Sequence, residues 1–251
     1  MKILILSLVA ITSLASIVCT LGRRPTLLFD HLPKAGGTSV RKYLKALIGS
    51  PIEASKAPAQ QKQFPRDSWI LVKEFQGLTE EQRKRFFTIG LVREPCSYYL
   101  SLWSFGSERK GRVRHALDKI GRSNQFYGRK PPFSSSGDLK RFTKWLKHEK
   151  GRLTQRFTHS YGNVSTERAD CWVRTGSLAS DFKRCIKLFI RAGGWTKMSP
   201  DDFVPTVNNP SHHKKCSIYF NAERSALVQT YDAAIYDIFP SFNFSCCNGN
   251  K

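Results

Sequence analysis

Short apolar runs alternate with stretches of helical periodicity along most of this 251-residue chain. The apolar runs predict strands at residues 26–32, 69–73, 87–92 and 171–174. Helical spacing, capping residues and Pro95 predict helices at 38–48, from 79, at 95–105, 138–150, 180–190 and 221–239. Strands that alternate with helices are typical of a parallel sheet. We therefore expect an α/β fold, in which a single domain has a central, mostly parallel sheet flanked by helices.

Two segments depart from this alternation. Residues 50–67 are rich in Pro, Ala, Gln and Lys, and we predict a loop there. Residues 106–130 carry eight Lys and Arg against two acidic residues, among Gly and Ser. This composition predicts either a solvated loop or an insertion that binds a polyanion.

The first predicted strand leads into a loop that has the composition of a phosphate site. The chain reads PKAGG between the strand and its helix, which begins with Thr38 and Ser39. Paired glycines let the backbone approach an anion, and a helix start offers unpaired N–H groups and a positive dipole end. Lys34 adds a point charge. The pattern predicts a P-loop-like phosphate-binding loop, although the lysine of Walker A follows its glycines.

The predicted strand at 87–92 is followed by Arg93 and then by a helix that contains Ser101. We expect Arg93 at the carboxyl edge of the sheet, where α/β proteins bind ligands. Ser101 lies eight residues later, just over two helical turns, so the two side chains need not share a face. Both are candidates to hold a phosphate. On spacing alone, a salt-bridged arginine and a helix-surface serine remain the alternative.

The two segments together resemble a known family. PKAGGTS after one strand and VREPCSYYLSLW after another are similar to the two signatures of sulfotransferases that use 3′-phosphoadenosine 5′-phosphosulfate. The form HLPKAGGTS most resembles the Golgi-type carbohydrate sulfotransferases, in particular the heparan sulfate O-sulfotransferase-like members.

The resemblance implies transfer of a sulfuryl group from 3′-phosphoadenosine 5′-phosphosulfate to a carbohydrate hydroxyl. Arg93 and Ser101 would hold the 3′-phosphate, and Lys34 would neutralise the leaving 5′-phosphate. The residues implied to bind that 5′-phosphate are Lys34, Ala35, Gly36, Gly37, Thr38 and Ser39. Such a transfer depends on positioning and on stabilising developing charge. The resemblance implies no metal, and we find no metal-ligand spacing in the sequence.

The acceptor hydroxyl needs a general base. Related sulfotransferases have Glu or His just after the second strand, where this chain has Val72-Lys73-Glu74, so the resemblance implies Glu74. The branch with the most similar phosphate loop has His in that region, which leaves the base open. His31, two residues before Pro33, is the second candidate; a structural histidine at the strand end is its alternative.

The N-terminal segment predicts entry into the secretory pathway. Residues 3–21 contain no charged side chain, follow Lys2 and precede Arg23 and Arg24. This length suits either a signal-anchor that attaches the protein to the membrane or a signal peptide. We expect residues 1–24 to form this segment and residues 25–251 to form a lumenal sulfotransferase domain. The protein would be a single-pass type II Golgi membrane protein or, after cleavage, a secreted one.

Cysteines and glycosylation sequons favour the lumenal side, although Arg23 and Arg24 by themselves favour a cytoplasmic one. Six cysteines follow the apolar segment, and an even number in a secretory chain predicts disulfide bonds. Asn163 and Asn243 each begin a sequon.

The chain is strongly basic, with 41 Lys and Arg against 19 Asp and Glu and a formal charge of +22. Only Lys2, Arg23 and Arg24 among these charges precede residue 25, so the remainder still carries +19. This charge favours an acidic glycan acceptor. The predicted entry into the secretory pathway argues against a nucleic acid as the partner. A nucleotide-dependent kinase with a variant phosphate loop and a non-enzymatic basic protein that binds polyanions are the alternatives. The sequence leaves the oligomeric state open.

Overall fold

The computed structural model describes residues 26–50, 52–53, 69–72, 86–108, 112–202, 212–243 and 246–247. The apolar N-terminal segment, Glu74 and the helix predicted from residue 79 lie outside these residues. Within the described part of the chain, no helix is long and apolar enough to cross a membrane.

Parallel strands form one five-stranded sheet. In chain order, the strands are β1 (Thr26–Asp30), β2 (Ile52–Glu53), β3 (Trp69–Val72), β4 (Phe86–Val92) and β5 (Cys171–Arg174). Their order in the sheet is β2-β3-β1-β4-β5, and each neighbouring pair is parallel. β1 and β4 are buried along their whole length, as expected for strands covered on both faces. The predicted α/β fold is confirmed. β2 falls in the segment predicted as a loop, because two residues are too short to leave a periodic pattern.

Helices connect and cover the strands. They are α1 (Gly37–Leu47), α2 (Pro95–Ser107), α3 (Arg112–Lys119), α4 (Ser123–Phe126), α5 (Ser136–His148), α6 (Arg152–Tyr161), α7 (Leu178–Arg191), α8 (Ala222–Tyr231) and α9 (Ala233–Ile238). α2 begins with Pro95, and the Glu94 carboxylate accepts hydrogen bonds from the N–H groups of Cys96 and Ser97. Most of the α2 side chains are buried, so this helix forms the centre of the helical part of the core.

The basic stretch at 106–130 contains two helices, α3 and α4, and the loop interpretation is wrong for these residues. Leu117, Phe126 and Tyr127 are buried. The indole Nε1 of Trp103 in α2 donates to the carbonyl of Phe126 at 2.7 Å. The apolar residues between the cations therefore belong to the core, a pattern that the high charge of the segment obscures.

The predicted helix at 221–239 is divided into α8 and α9 at Asp232. The Asp232 side chain is fully buried. Its Oδ2 accepts from the Tyr99 hydroxyl of α2 at 2.7 Å, and its Oδ1 accepts from the N–H and the hydroxyl of Thr154 in α6, each at 2.8 Å. This carboxylate joins three helices at the break. Tyr231, directly before the break, is 44% exposed.

Disulfide bonds join all six cysteines, which confirms the prediction that they pair. The pairs are Cys96–Cys246, Cys171–Cys185 and Cys216–Cys247. The second pair ties β5 to α7. The other two attach neighbouring residues near the C-terminus to the first turn of α2 and to the 3₁₀ turn Cys216–Ile218.

Replacing Asp232 with alanine should lower the free energy of unfolding by about 3 kcal/mol, because the buried Tyr99 hydroxyl and Thr154 N–H lose their acceptor. Urea unfolding followed by tryptophan fluorescence measures this change. Asp237→Ala removes the same group from an exposed position of α9 and should shift the free energy by less than about 0.5 kcal/mol. Equal effects of the two substitutions would contradict the role assigned to Asp232.

Candidate active site

The loop between β1 and α1 lies at the carboxyl end of the central strand. Lys34 has φ 65° and Gly36 has φ 87°, both in the left-handed region. Gly36 is the N-cap residue of α1, and no side chain caps the helix there. The first N–H groups of a helix have no partner within it. The loop therefore presents an uncapped helix start, which is the positive end of the helix dipole.

Close packing explains both glycines of this loop. A Cβ atom added to Gly36 would lie 2.4 Å from Cδ1 of Leu178, the first residue of α7. One added to Gly37 would lie 1.9 Å from Cδ2 of His31. The imidazole of His31 thus fills the space that a side chain at position 37 would need. Burial lowers the pKa of His31, and the charge of Arg41 lowers it further.

Arg93 connects the two sequence segments that predict the site. Its Nη1 donates to the carbonyl oxygen of Lys34 at 2.9 Å, and its Nε donates to Oγ of Ser97 at 2.9 Å. These bonds use two of the five guanidinium N–H groups. Burial lowers the pKa of Arg93 to about 10, and Glu94 opposes this shift, so the side chain stays charged at neutral pH. The structure brings Lys34 and Arg93 together at one edge of the sheet.

The predicted ligands within the phosphate loop differ in exposure. The Nζ of Lys34 lies 4.2 Å from the ring centre of Phe105, near the end of α2. Thr38 is exposed, whereas Ala35 is buried. Ser39 is 7% exposed and is hydrogen-bonded to Tyr43.

The two serines of α2 also differ. Ser101 is only 1% exposed, and its role as a phosphate ligand stays a prediction. Ser97 lies one turn earlier and contacts the Arg93 guanidinium. The spacing of four residues from Arg93, about one helical turn, is a sequence signal for this contact.

A third segment, residues 212–219, is bonded to the end of the helix that follows Arg93. His212 Nδ1 lies 3.1 Å from a carboxylate oxygen of Glu108, just beyond the end of α2. Burial lowers the pKa of His213, and the charges of Arg93 and Lys34 lower it further. His213 is therefore within electrostatic range of both predicted phosphate ligands. No motif marks it in the sequence.

Asp30 is a buried carboxyl group at the end of β1, directly before the loop. It is 1% exposed, and its Oδ2 has no hydrogen-bond partner among the described residues. Burial raises its pKa to about 8, and a hydrogen bond with Ser160 of α6 opposes the shift. The last residue of β1, directly before the loop, therefore has a carboxyl group that is neutral at mildly acidic pH.

A second cluster, formed by Glu94, Cys96 and Cys246, has the spacing of a metal site. Its cysteines are joined in a disulfide bond, and Glu94 caps α2 while it accepts a hydrogen bond from the Tyr236 hydroxyl at 3.1 Å. The structure accounts for this cluster without a ligand.

Comparison with known proteins bears on both segments of the site. A family model described as "Sulfotransferase family" matches residues 20–169, a range that includes Lys34 and Arg93. No curated protein and no solved structure matches the chain significantly. Residues 212–219 lie beyond the matched range.

Gly37→Ala should destabilise the domain by about 1–3 kcal/mol, because the new methyl group overlaps the His31 ring. Gly176→Ala is the matched control, since a Cβ atom there meets nothing within 4 Å. Thermal unfolding of the two variants measures the difference. A Gly37→Ala protein as stable as the control would contradict the packing of His31 against the loop.

Asp30 should make the domain less stable as pH rises. A folded-state pKa near 8, above the unfolded value near 3.8, favours the folded state at low pH, and this stability is lost as pH rises through 8. Between these two pKa values, each rise of one pH unit lowers the free energy of unfolding by about 1.4 kcal/mol. Urea unfolding between pH 5 and 8 measures how the free energy of unfolding changes with pH. Asp30→Asn should remove this fall of the free energy with pH, whereas the exposed Asp202→Asn should keep it. An unchanged slope in Asp30→Asn would contradict the assignment.

Proposed function

The chain belongs to the sulfotransferase family, and we propose that it transfers a sulfuryl group from 3′-phosphoadenosine 5′-phosphosulfate to a hydroxyl of a carbohydrate. Family membership makes it a transferase of sulfuryl groups; the donor and the acceptor are our proposal. One observation supports the donor most directly. The bond from Arg93 to the Lys34 carbonyl joins two segments that both have phosphate-binding chemistry.

The residues at the loop fit a phosphate group. The start of α1 offers uncapped N–H groups, positions 36 and 37 carry no side chain, and Lys34 supplies a charge. In this role, Lys34 and the backbone of residues 35–38 bind the 5′-phosphate. They stabilise the charge that collects on its oxygen when the bond to sulfur breaks. The Thr38 hydroxyl is exposed and adds a further donor.

Arg93 supplies the second phosphate contact in this proposal. Its guanidinium is charged, and among the described residues its bonds to Lys34 and Ser97 use two of its five N–H groups. A planar cation with several donors suits a phosphate. The 3′-phosphate distinguishes this donor from ordinary nucleotides, so Arg93, with Ser97 or Ser101, would set donor specificity.

The proposed acceptor is an acidic glycan, such as a glycosaminoglycan. Residues 25–251 carry a formal charge of +19, which attracts polyanions over a distance comparable to the screening length. The disulfide bonds support a location in the oxidising secretory pathway. We propose the Golgi lumen, with the N-terminal segment as a membrane anchor or, if it is cleaved, with secretion.

Lys34→Ala should weaken binding of 3′-phosphoadenosine 5′-phosphate at least 10-fold and lower sulfuryl transfer about 100-fold, because the leaving phosphate loses its counter-charge. Isothermal titration calorimetry measures binding, and transfer of ³⁵S from the labelled donor to a panel of glycans measures activity. Lys45→Ala removes the same charge from an exposed position near the far end of α1 and should leave both unchanged.

Two results would reject this function. The first is a wild-type domain that does not bind 3′-phosphoadenosine 5′-phosphate. The second is transfer of phosphate from ATP in the presence of Mg²⁺ without any sulfuryl transfer, which is the result that a kinase would give.

A further inference from the structure

Two adjacent disulfides tie the segment that carries His213 to the Arg93 side of the site. Cys216, three residues after His213, is bonded to Cys247. The neighbouring Cys246 is bonded to Cys96, three residues after Arg93. The covalent path from His213 to the first turn of α2 is therefore short.

A polar contact holds the same segment at the other end of α2. The N–H of His212 donates to Glu108 Oε1 at 3.3 Å, and the Nδ1 of its ring lies 3.1 Å from the same oxygen. Glu108 follows Phe105 by three residues, and the Lys34 amine lies over the Phe105 ring. His213 is thus held between the Arg93 end and the Lys34 end of one helix.

The ring of His213 has a defined tautomer. Its Nδ1 lies 2.8 Å from the carbonyl oxygen of Lys214. A carbonyl oxygen only accepts, so Nδ1 carries the proton and Nε2 keeps its lone pair in the neutral ring. The ring of Tyr219 lies edge-on at 6.1 Å between centres and supports this orientation. Neutral His213 can accept a proton at Nε2 but cannot donate one to a phosphate.

The charged groups around His213 favour its neutral form. Burial and the charges of Arg93 and Lys34 lower the pKa of His213. Its hydrogen bond to the Lys214 carbonyl and the charge of Glu108 raise the pKa and partly oppose this shift. Phosphates bound beside Lys34 and Arg93 would offset those cations and return the pKa towards neutrality. A general base works best when its pKa lies near the working pH.

We propose that His213 is the general base of the sulfuryl transfer, an inference that rests on the proposed function. Its Nε2 takes the proton of the acceptor hydroxyl while that oxygen forms a bond to sulfur. The bond between sulfur and the 5′-phosphate oxygen breaks, and its electron pair stays on the phosphate. The imidazolium then returns its proton to solvent. His31, by contrast, is packed against Gly37 beneath the loop.

The test compares His213→Gln with His159→Gln and Glu74→Gln, using the labelled donor and the best acceptor of the glycan panel. His213→Gln should lower kcat at least 100-fold, change the affinity for 3′-phosphoadenosine 5′-phosphate less than 3-fold, and abolish the rise of kcat with pH. His159→Gln changes an exposed histidine of α6 and should keep kcat within 3-fold. Glu74→Gln should keep the wild-type pH profile.

A His213→Gln protein with wild-type kcat, or a loss of the pH-dependent rise in Glu74→Gln instead, would overturn the assignment. NMR of ¹⁵N-labelled histidine tests it without an acceptor: the Nδ1–H tautomer is expected, and an Nε2–H tautomer would overturn it. Wild-type protein that does not bind 3′-phosphoadenosine 5′-phosphate would reject the proposed function itself. If the wild-type protein binds 3′-phosphoadenosine 5′-phosphate and His213→Gln keeps a normal kcat, only the assignment of His213 as the general base is rejected.

Discussion

The hydrogen bond from the Arg93 guanidinium to the Lys34 carbonyl is the contact on which the geometry of the site depends. Lys34 follows β1, and Arg93 follows β4, the neighbouring parallel strand. Because parallel strands end at the same edge, the sheet alone brings the two residues close. The bond then fixes Lys34 in a left-handed conformation that is costly for a residue with a side chain. One charged side chain thus shapes the loop between β1 and α1, the proposed phosphate site.

Contacts far from the phosphate loop hold the rest of the site in place. The Asp232 carboxylate joins α2 and α6 at the start of α9, and the disulfides of Cys246 and Cys247 bring residues 212–219 to α2. The first is a buried polar network, and the second consists of covalent links that persist only in an oxidising compartment. A reduced protein would lose this covalent attachment of residues 212–219.

The parts of this structure that are predictable from sequence are those with local patterns. β4 and β5 follow apolar runs, and PKAGG marks the loop between the first strand and the first helix. His213 is not predictable in this way, because its position depends on disulfides between residues 31 or more apart. The division of the last helix at Asp232 depends on partners in α2 and α6 that no local pattern reveals.

The most direct measurement is a crystal structure of residues 25–251 with 3′-phosphoadenosine 5′-phosphate. We expect the 5′-phosphate against the N–H groups at the start of α1, within reach of Lys34, and the 3′-phosphate on Arg93. We also expect the Arg93 bond to the Lys34 carbonyl to be kept. A nucleotide bound elsewhere, or phosphates that contact neither Lys34 nor Arg93, would contradict the central claim that these two segments form one donor site.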